Sequence, residues 1–348
     1  MLMSFYKLLK ILKIRGLIIK VMKLLPFRLL NKSHNEILLP FYHTVKTENN
    51  LTKHLFNNPT EHKFKNDMYF MLKKYKSISL KNIIDSKYSN RSKLKNCFHI
   101  TFDDGFTDNY YIAMNFLKQN EIDATFFIVK DFLDNKNMFY RNKASLIIDK
   151  LSVGKSMKFR NKVKDYMISK NLYFNTMKES LLKIKYVDKN HLDEIAKLCL
   201  LDFDEYLAIK KPYMTSNQIN ELIDHGFSIG AHSVDHRLLQ ELSEEDQKYQ
   251  VSNSMKFIQN KFGLDYKAFA APFNDINIKK SLIEYLLNEN IIDVFFGTQG
   301  FRKDTTSKSH PRLSMDGINA NIDMKKVLKN SLSVASILKP MNDFNVLR

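Results

Sequence analysis

Five short apolar runs in this chain each end on a residue that does chemistry or turns the backbone. Residues 36–42 (Glu-Ile-Leu-Leu-Pro-Phe-Tyr) run into His43, and residues 97–102 (Cys-Phe-His-Ile-Thr-Phe) into Asp103. Phe227 to Ala231 runs into His232, residues 267–271 into Pro272, and residues 292–297 close on Gly297. A further buried strand is expected from Ala124 to Val129. Helical spacing separates these runs, at 64–75 (apolar Phe64, Met68, Met71, Leu72 and Tyr75), 108–119, 216–225, 244–262 before Gly263, and 276–290. Strands that alternate with helices pair in parallel, because each crossover helix returns the chain to the same end of the sheet. The residues that follow successive strands therefore gather at one face, the C-terminal mouth of an α/β barrel.

Residues 131–214 break this rhythm. They carry 17 Lys/Arg against 11 Asp/Glu and place apolar residues at helical spacing (Leu146, Ile147, Leu151; Leu181, Leu182, Ile184; Leu198, Leu201). They read as a helical insertion that leaves one strand end and returns before the next, over the mouth. Met138-Phe139-Tyr140-Arg141 opens it, either lining the mouth or forming the first turn of a packed helix. Glycine is scarce, and no phosphate-cradling glycine loop is present.

The 348 residues suit one large domain or two small ones. The net charge of +18 favours anionic partners. Most of it reads as a Lys-rich solvated surface, but the first 35 residues hold eight Lys/Arg and no acid. Lys7, Lys10, Lys13 and Lys20 share roughly one helical face. No apolar run there reaches the roughly 20 residues a membrane span needs, and no cleavable signal peptide is evident. Residues 1–30 are expected to form a basic amphipathic helix that lies on an anionic membrane or packs on the barrel, and Pro26 to end it. The expected location is the cytoplasm or the cytoplasmic face of the membrane. No nucleic-acid motif accompanies the charge. Cys97 and Cys199 lie in apolar contexts and form no disulfide framework.

Two motifs carry the chemistry. Residues 100–105 read Ile-Thr-Phe-Asp-Asp-Gly, and residues 232–236 read His-Ser-Val-Asp-His. Asp104, His232 and His236 supply one oxygen and two nitrogens for a divalent metal with a position left for water. The spacing of the histidines brings both rings to one side if the segment turns helically after its strand. Asp103 remains as a carboxylate that takes a proton from that water.

Thr101-Phe102-Asp103-Asp104-Gly105 and His232-Ser233-Val234-Asp235-His236 resemble the first two motifs of the polysaccharide deacetylases of the NodB-homology type, carbohydrate esterase family 4. The resemblance covers about residues 36–130 and 215–320. It implies a distorted (β/α)7-type barrel over 36–330, interrupted by the insertion. It also implies Asp103 as general base, Asp104, His232 and His236 on one divalent ion (most often zinc), and removal of acetyl groups from an acetylated glycan. The third motif departs from the common Arg-x-Pro-Tyr and reads Ala270-Ala271-Pro272-Phe273, which resembles the exopolysaccharide branch. The arginine that orients the base is missing from it, and Arg312 in His310-Pro311-Arg312-Leu313 is the replacement candidate. The family implies an oxyanion contact from the backbone N–H near Phe273. Its acid histidine lies in a Leu-x-His context that is absent; His310 is the nearest match and His43 another. Three functions are open on these residues: a de-N-acetylase of a surface polysaccharide or lipid-linked sugar precursor, an O-acetyl esterase, and a catalytically silent glycan-binding protein.

Overall fold

A computed structural model describes residues 37–45, 51–85, 94–152, 157–301 and 306–338. The helix expected over residues 1–30 and the first expected barrel residue, Glu36, lie outside the described residues. Strand β1 (Pro40–Tyr42) is followed by α1 (Glu61–Leu72), β2 (Lys76–Ser77), α2 (Leu80–Asp85), β3 (Cys97–Phe98), β4 (Ile100–Phe102), α3 (Thr107–Ile112) and β5 (Ala124–Ile128). Five helices come next: α4 (Tyr140–Ser152), α5 (Met157–Ser169), α6 (Met177–Lys183), α7 (Asn190–Leu198) and α8 (Phe203–Lys210). Alternation resumes with α9 (Ser216–Asp224), β6 (Ser228–Ala231), α10 (Glu244–Phe262), β7 (Ala268–Ala270), α11 (Lys280–Asn288) and β8 (Val294–Gly297). The order ends with β9 (Ser309–Pro311), β10 (Leu313–Ser314) and α12 (Met324–Leu338).

The main sheet runs β10-β1-β4-β5-β6-β7-β8-β9, and every pairing in it is parallel. Strands β9 and β10 are separated by a single residue, Arg312. One extended segment therefore pairs with β8 by its first half, Phe296 opposite His310, and with β1 by its second, Pro40 opposite Leu313. That partner switch closes the ring at seven strand positions, as expected for a (β/α)7-type barrel. The run expected as one strand over residues 97–102 is split at His99, which is fully buried between the Ile78 carbonyl (2.7 Å) and Thr125 Oγ1 (2.8 Å). Its first part pairs with β2 in a separate ribbon.

Alternation along the strands sorts side chains to two faces. Phe102, Phe126, Ile229, Phe269 and Phe295 point out and pack with residues of the surrounding helices in the largest core cluster. Phe127, Ala268, Ala270, Val294 and Phe296 fill the inside with Ile37 and Leu39. Phe102 stacks on Phe126 at 5.0 Å and 6°, and its truncation to alanine would cost about 3–5 kcal/mol of stability. Gly230 on β6 is obligatory, since a Cβ there would lie 2.4 Å from the Phe127 ring.

The helices carry ordinary end signals. Ser243 caps α10, three acids follow in its first turn, and left-handed Gly263 stops it. Thr215 and Gln218 form a reciprocal capping box on α9. Among the described residues, 131–214 hold helices and no sheet strand, and they build a second core around Ile147, Val163, Ile195 and Leu207. Tyr213 binds the two ends of this segment: its hydroxyl accepts from Phe139 N (3.3 Å) and Asn142 Nδ2 (2.8 Å). No helix among the described residues is long and apolar enough to cross a membrane.

Candidate active site

Asp103, Asp104, His232 and His236 each sit one step or a few beyond a barrel strand. The β1–β4 ladder continues past Phe102, where Asp103 N donates to the Tyr42 carbonyl at 2.9 Å. That bond puts Asp103 beside His43 at the mouth. Likewise His232 N donates to the Ile128 carbonyl at 2.9 Å, so β5 carries the second motif to the same level.

The local backbone is unusual at these places. Asp104, Ser233, His236 and Phe273 all have positive φ (69°, 68°, 60° and 57°) without being glycine. Such conformations are costly for L-residues and persist where the surroundings impose them, typically at functional sites. They also correct the expectation for the histidines. The segment after β6 does not turn helically; left-handed Ser233 and His236 fold it back instead, with His236 N donating to Ser233 Oγ at 3.0 Å. The two rings end 5.0 Å apart.

Asp104, His232 and His236 each aim one donor atom at a common point, and these atoms lie within 4.8 Å of one another. His236 Nε2 is 3.0 Å and His232 Nε2 3.5 Å from Asp104 Oδ1. All three atoms are buried without a hydrogen-bond partner. Leaving that many buried polar atoms unsatisfied costs about 1–3 kcal/mol each unless something fills the point between them. His232 Nδ1–H donates to the Ala270 carbonyl at 2.9 Å, which fixes the tautomer with its lone pair on Nε2. Burial lowers the His232 pKa to about 4, so the ring is neutral and free to coordinate. Burial acts to raise the Asp104 pKa, but the neighbouring histidines override it and hold the group as a carboxylate. One carboxylate oxygen and two imidazole nitrogens converging on one point suit a divalent cation.

Asp103 is held differently. Arg312 Nη1 donates to its Oδ1 at 2.6 Å and Nη2 to its Oδ2 at 2.8 Å. Arg312 also donates to Thr101 Oγ1 (2.9 Å) and the Gly297 carbonyl (3.0 Å), and its guanidinium lies 4.5 Å from the Phe41 ring. Burial pushes the Asp103 pKa up, and the Arg312 charge outweighs it and leaves it lowered. The carboxylate therefore stays ionised, and each oxygen keeps a second lone pair.

His43 bonds Asp316 twice, from its backbone N (2.9 Å) and from Nδ1 (2.7 Å). Burial acts to lower its pKa, but the Asp316 hydrogen bond and the charges of Asp104 and Asp103 raise it to about 9. His310 takes another place. It lies on β9 two residues before Arg312, about 6–7 Å deeper along the strand, with its ring 6.0 Å from Phe296. Phe273 packs its ring 4.7 Å from His236.

The insertion reaches the same loop. Phe139 lies 4.5 Å from the His236 ring and 5.6 Å from Phe273. The Tyr186 hydroxyl donates to Asp235, between the two histidines, and Arg237 Nε donates to the same oxygen at 3.0 Å. Arg237 also stands 4.4 Å over the Tyr186 ring. Tyr186 and Asp316 carry no motif in the sequence; for Asp316 the trace is an Asp-Gly turn after the closing strand.

Residues 90–286, more than half of the chain, match the family model for polysaccharide deacetylase. The chain belongs to the polysaccharide deacetylase family. Membership makes it a hydrolase that deacetylates a glycan, and the motif residues of this deacetylase fall within the matched span except for His43, His310 and Arg312. No curated protein matches its sequence. Among solved structures it is similar to the Streptococcus pyogenes deacetylase PplD in complex with acetate, at 14% identity and a TM-score of 0.54 over 85% of this chain and 98% of that one. It is also similar to IcaB from Ammonifex degensii, at 11% identity and a TM-score of 0.51 over 86% of this chain and 97% of that one. At these identities the likeness is one of fold.

Proposed function

We propose that the protein is a metal-dependent de-N-acetylase acting on a surface polysaccharide or a lipid-linked sugar precursor. The observation that carries this reading is the trio of partnerless donor atoms on Asp104, His232 and His236 beside an Arg312-clamped Asp103. A divalent cation in that trio, zinc by the donor set, would supply Lewis-acid polarisation of the acetyl carbonyl and of the attacking water.

The chain's own residues do the rest. Asp103 accepts the proton of the water as its oxygen bonds to the acetyl carbon, and Arg312 keeps the carboxylate aimed while it does so. The peptide N–H at Phe273 is the candidate donor to the oxyanion of the tetrahedral intermediate. His43 fits the acid role better than His310. Asp316 fixes its Nδ1, leaving Nε2–H to protonate the amide nitrogen as the C–N bond breaks. Acetate and a free amino sugar are the products. The match to the polysaccharide deacetylase family and the acetate in the PplD structure support release of acetate from a glycan.

Acetate release from an N-acetylated chitooligosaccharide tests the reading, with the protein as purified, stripped by chelator, and reloaded with zinc. Release should vanish on stripping and return on reloading. Asp103→Asn should retain the metal and lose turnover, whereas His236→Ala should lose both. Full activity after stripping would exclude metal dependence. Release only from an O-acetyl ester would make it an esterase, and release from neither would favour a silent glycan-binding protein.

A further inference from the structure

Arg141 sits where local electrostatics disfavours a cation. It is the second residue of α4, in a first turn that contains no acid, and a helix N-terminus carries partial positive charge. Lys143 on the same helix pairs with Asp193 at 2.5 Å, and the other two cations of the site are paired as well, Arg237 with Asp235 at 3.0 Å and Arg312 with Asp103 at 2.6 Å. Arg141 has no ion pair and no hydrogen-bond acceptor among the described residues. Glu241, whose charge is felt at Tyr140, is not paired with it. A local rule broken without compensation points to a functional residue.

Its position says which function. The Arg141 guanidinium lies 5.9 Å from the centre of the Phe273 ring. Phe273 in turn touches His236 at 4.7 Å, and Phe139 completes the ring cluster against the same histidine. Arg141 and Phe273 are both half-buried, so the cation stands at the accessible edge of the metal-ligand loop. Arg312 cannot serve an incoming anion, because it is fully buried and its donors are taken by Asp103, Thr101 and Gly297. A guanidinium is a planar fork that matches the oxygens of a carboxylate or phosphoryl group, and an aromatic face behind it holds the plane.

We propose that Arg141 is the subsite for an anionic group of the glycan, a carboxylate or phosphoryl attached close to the acetamido sugar. This rests on the deacetylase reading and narrows its substrate class to acidic glycans. Arg141 thus selects the substrate, and Phe273 orients the fork.

The test compares acetate release from three probes: a neutral N-acetylchitotetraose, a hyaluronan tetrasaccharide bearing uronates, and UDP-N-acetylglucosamine bearing phosphoryl groups. The wild-type protein should favour an anionic probe over the neutral one by about tenfold or more in kcat/KM, mainly through KM, and added salt should erode the preference. Arg141→Gln should abolish the preference, and Arg141→Lys should keep part of it, since the charge stays and the fork goes. Preference for the hyaluronan probe alone identifies a uronate, and for the nucleotide sugar alone a phosphoryl group. No preference in the wild type, or the same preference in Arg141→Gln, overturns the proposal. If no probe releases acetate, the deacetylase reading is what fails. Calorimetric binding of the same probes then decides Arg141 separately: about tenfold weaker binding of an anionic probe to Arg141→Gln sustains it, and equal or absent binding overturns it. A role confined to packing on Phe273 would move the melting temperature without moving the discrimination between probes.

Discussion

Arg312 and Asp103 lie 209 residues apart and meet as a two-pronged ion pair inside the barrel, both almost fully excluded from water. The arginine is the residue at which the closing strand exchanges β8 for β1. The clamp on Asp103 and the closure of the ring are therefore one feature.

Removing the arginine should harm both stability and turnover. Arg312→Met leaves a buried, unpaired carboxylate and should cost about 3–5 kcal/mol in chemical denaturation. Adding Asp103→Asn should recover part of that loss, because the amide carries no charge. Turnover in Arg312→Met should fall on the order of 100-fold through misplacement of the base. Unchanged stability in Arg312→Met would mean the pair is not formed.

The Tyr186 clasp should be visible in metal affinity. Tyr186→Phe keeps the ring under Arg237 and removes the hydroxyl that donates to Asp235. Loosening the segment between His232 and His236 should weaken metal binding by about tenfold, measured by chelator competition. Affinity equal to that of the wild type would show that the insertion does not brace this loop.

The His43–Asp316 pair should give the metal-free protein a pH-dependent stability. The folded pKa of His43, about 9, lies above the ordinary histidine value near 6.5. The contribution is therefore complete below about pH 6.5 and is lost as pH rises through about 9, up to about 3 kcal/mol in all. Denaturation of chelator-treated protein at about pH 6 and about pH 10 reads it. His43→Gln should flatten the difference; an equal slope in that variant would refute the assignment.

The basic N-terminus, outside the described residues, remains a proposed membrane contact. Deleting residues 1–30 should weaken binding to vesicles that contain anionic lipid, by roughly 1 kcal/mol for each Lys or Arg near the surface, and high salt should mimic the deletion. Vesicle binding that survives the deletion would place the contact elsewhere.

Asp103, Asp104, His232 and His236 stood out in the sequence because each motif is short and follows an apolar run, and the structure brings the four together. The strand supplies the direction, and parallel pairing delivers its end to the common mouth. The end of α10 was legible at Gly263, and the helices of 131–214 followed from apolar spacing alone. The segment 309–314 was not legible as a strand, since Ser-His-Pro-Arg-Leu-Ser has neither alternation nor an apolar run. It is a strand because β8 and β1 both present unpaired edges to it. The same holds for the contacts of Arg312, His43 and Tyr186. Their partners are remote in sequence, and only the closed barrel sets the distances between them. The sequence by itself determined which acid, base and imidazole groups the strands carry to the mouth, and in what order. Tertiary structure alone decided which cation holds Asp103, which carboxylate backs His43, and that Arg141 has no ion pair among the described residues, because charge pairing depends on separation in space and not along the chain.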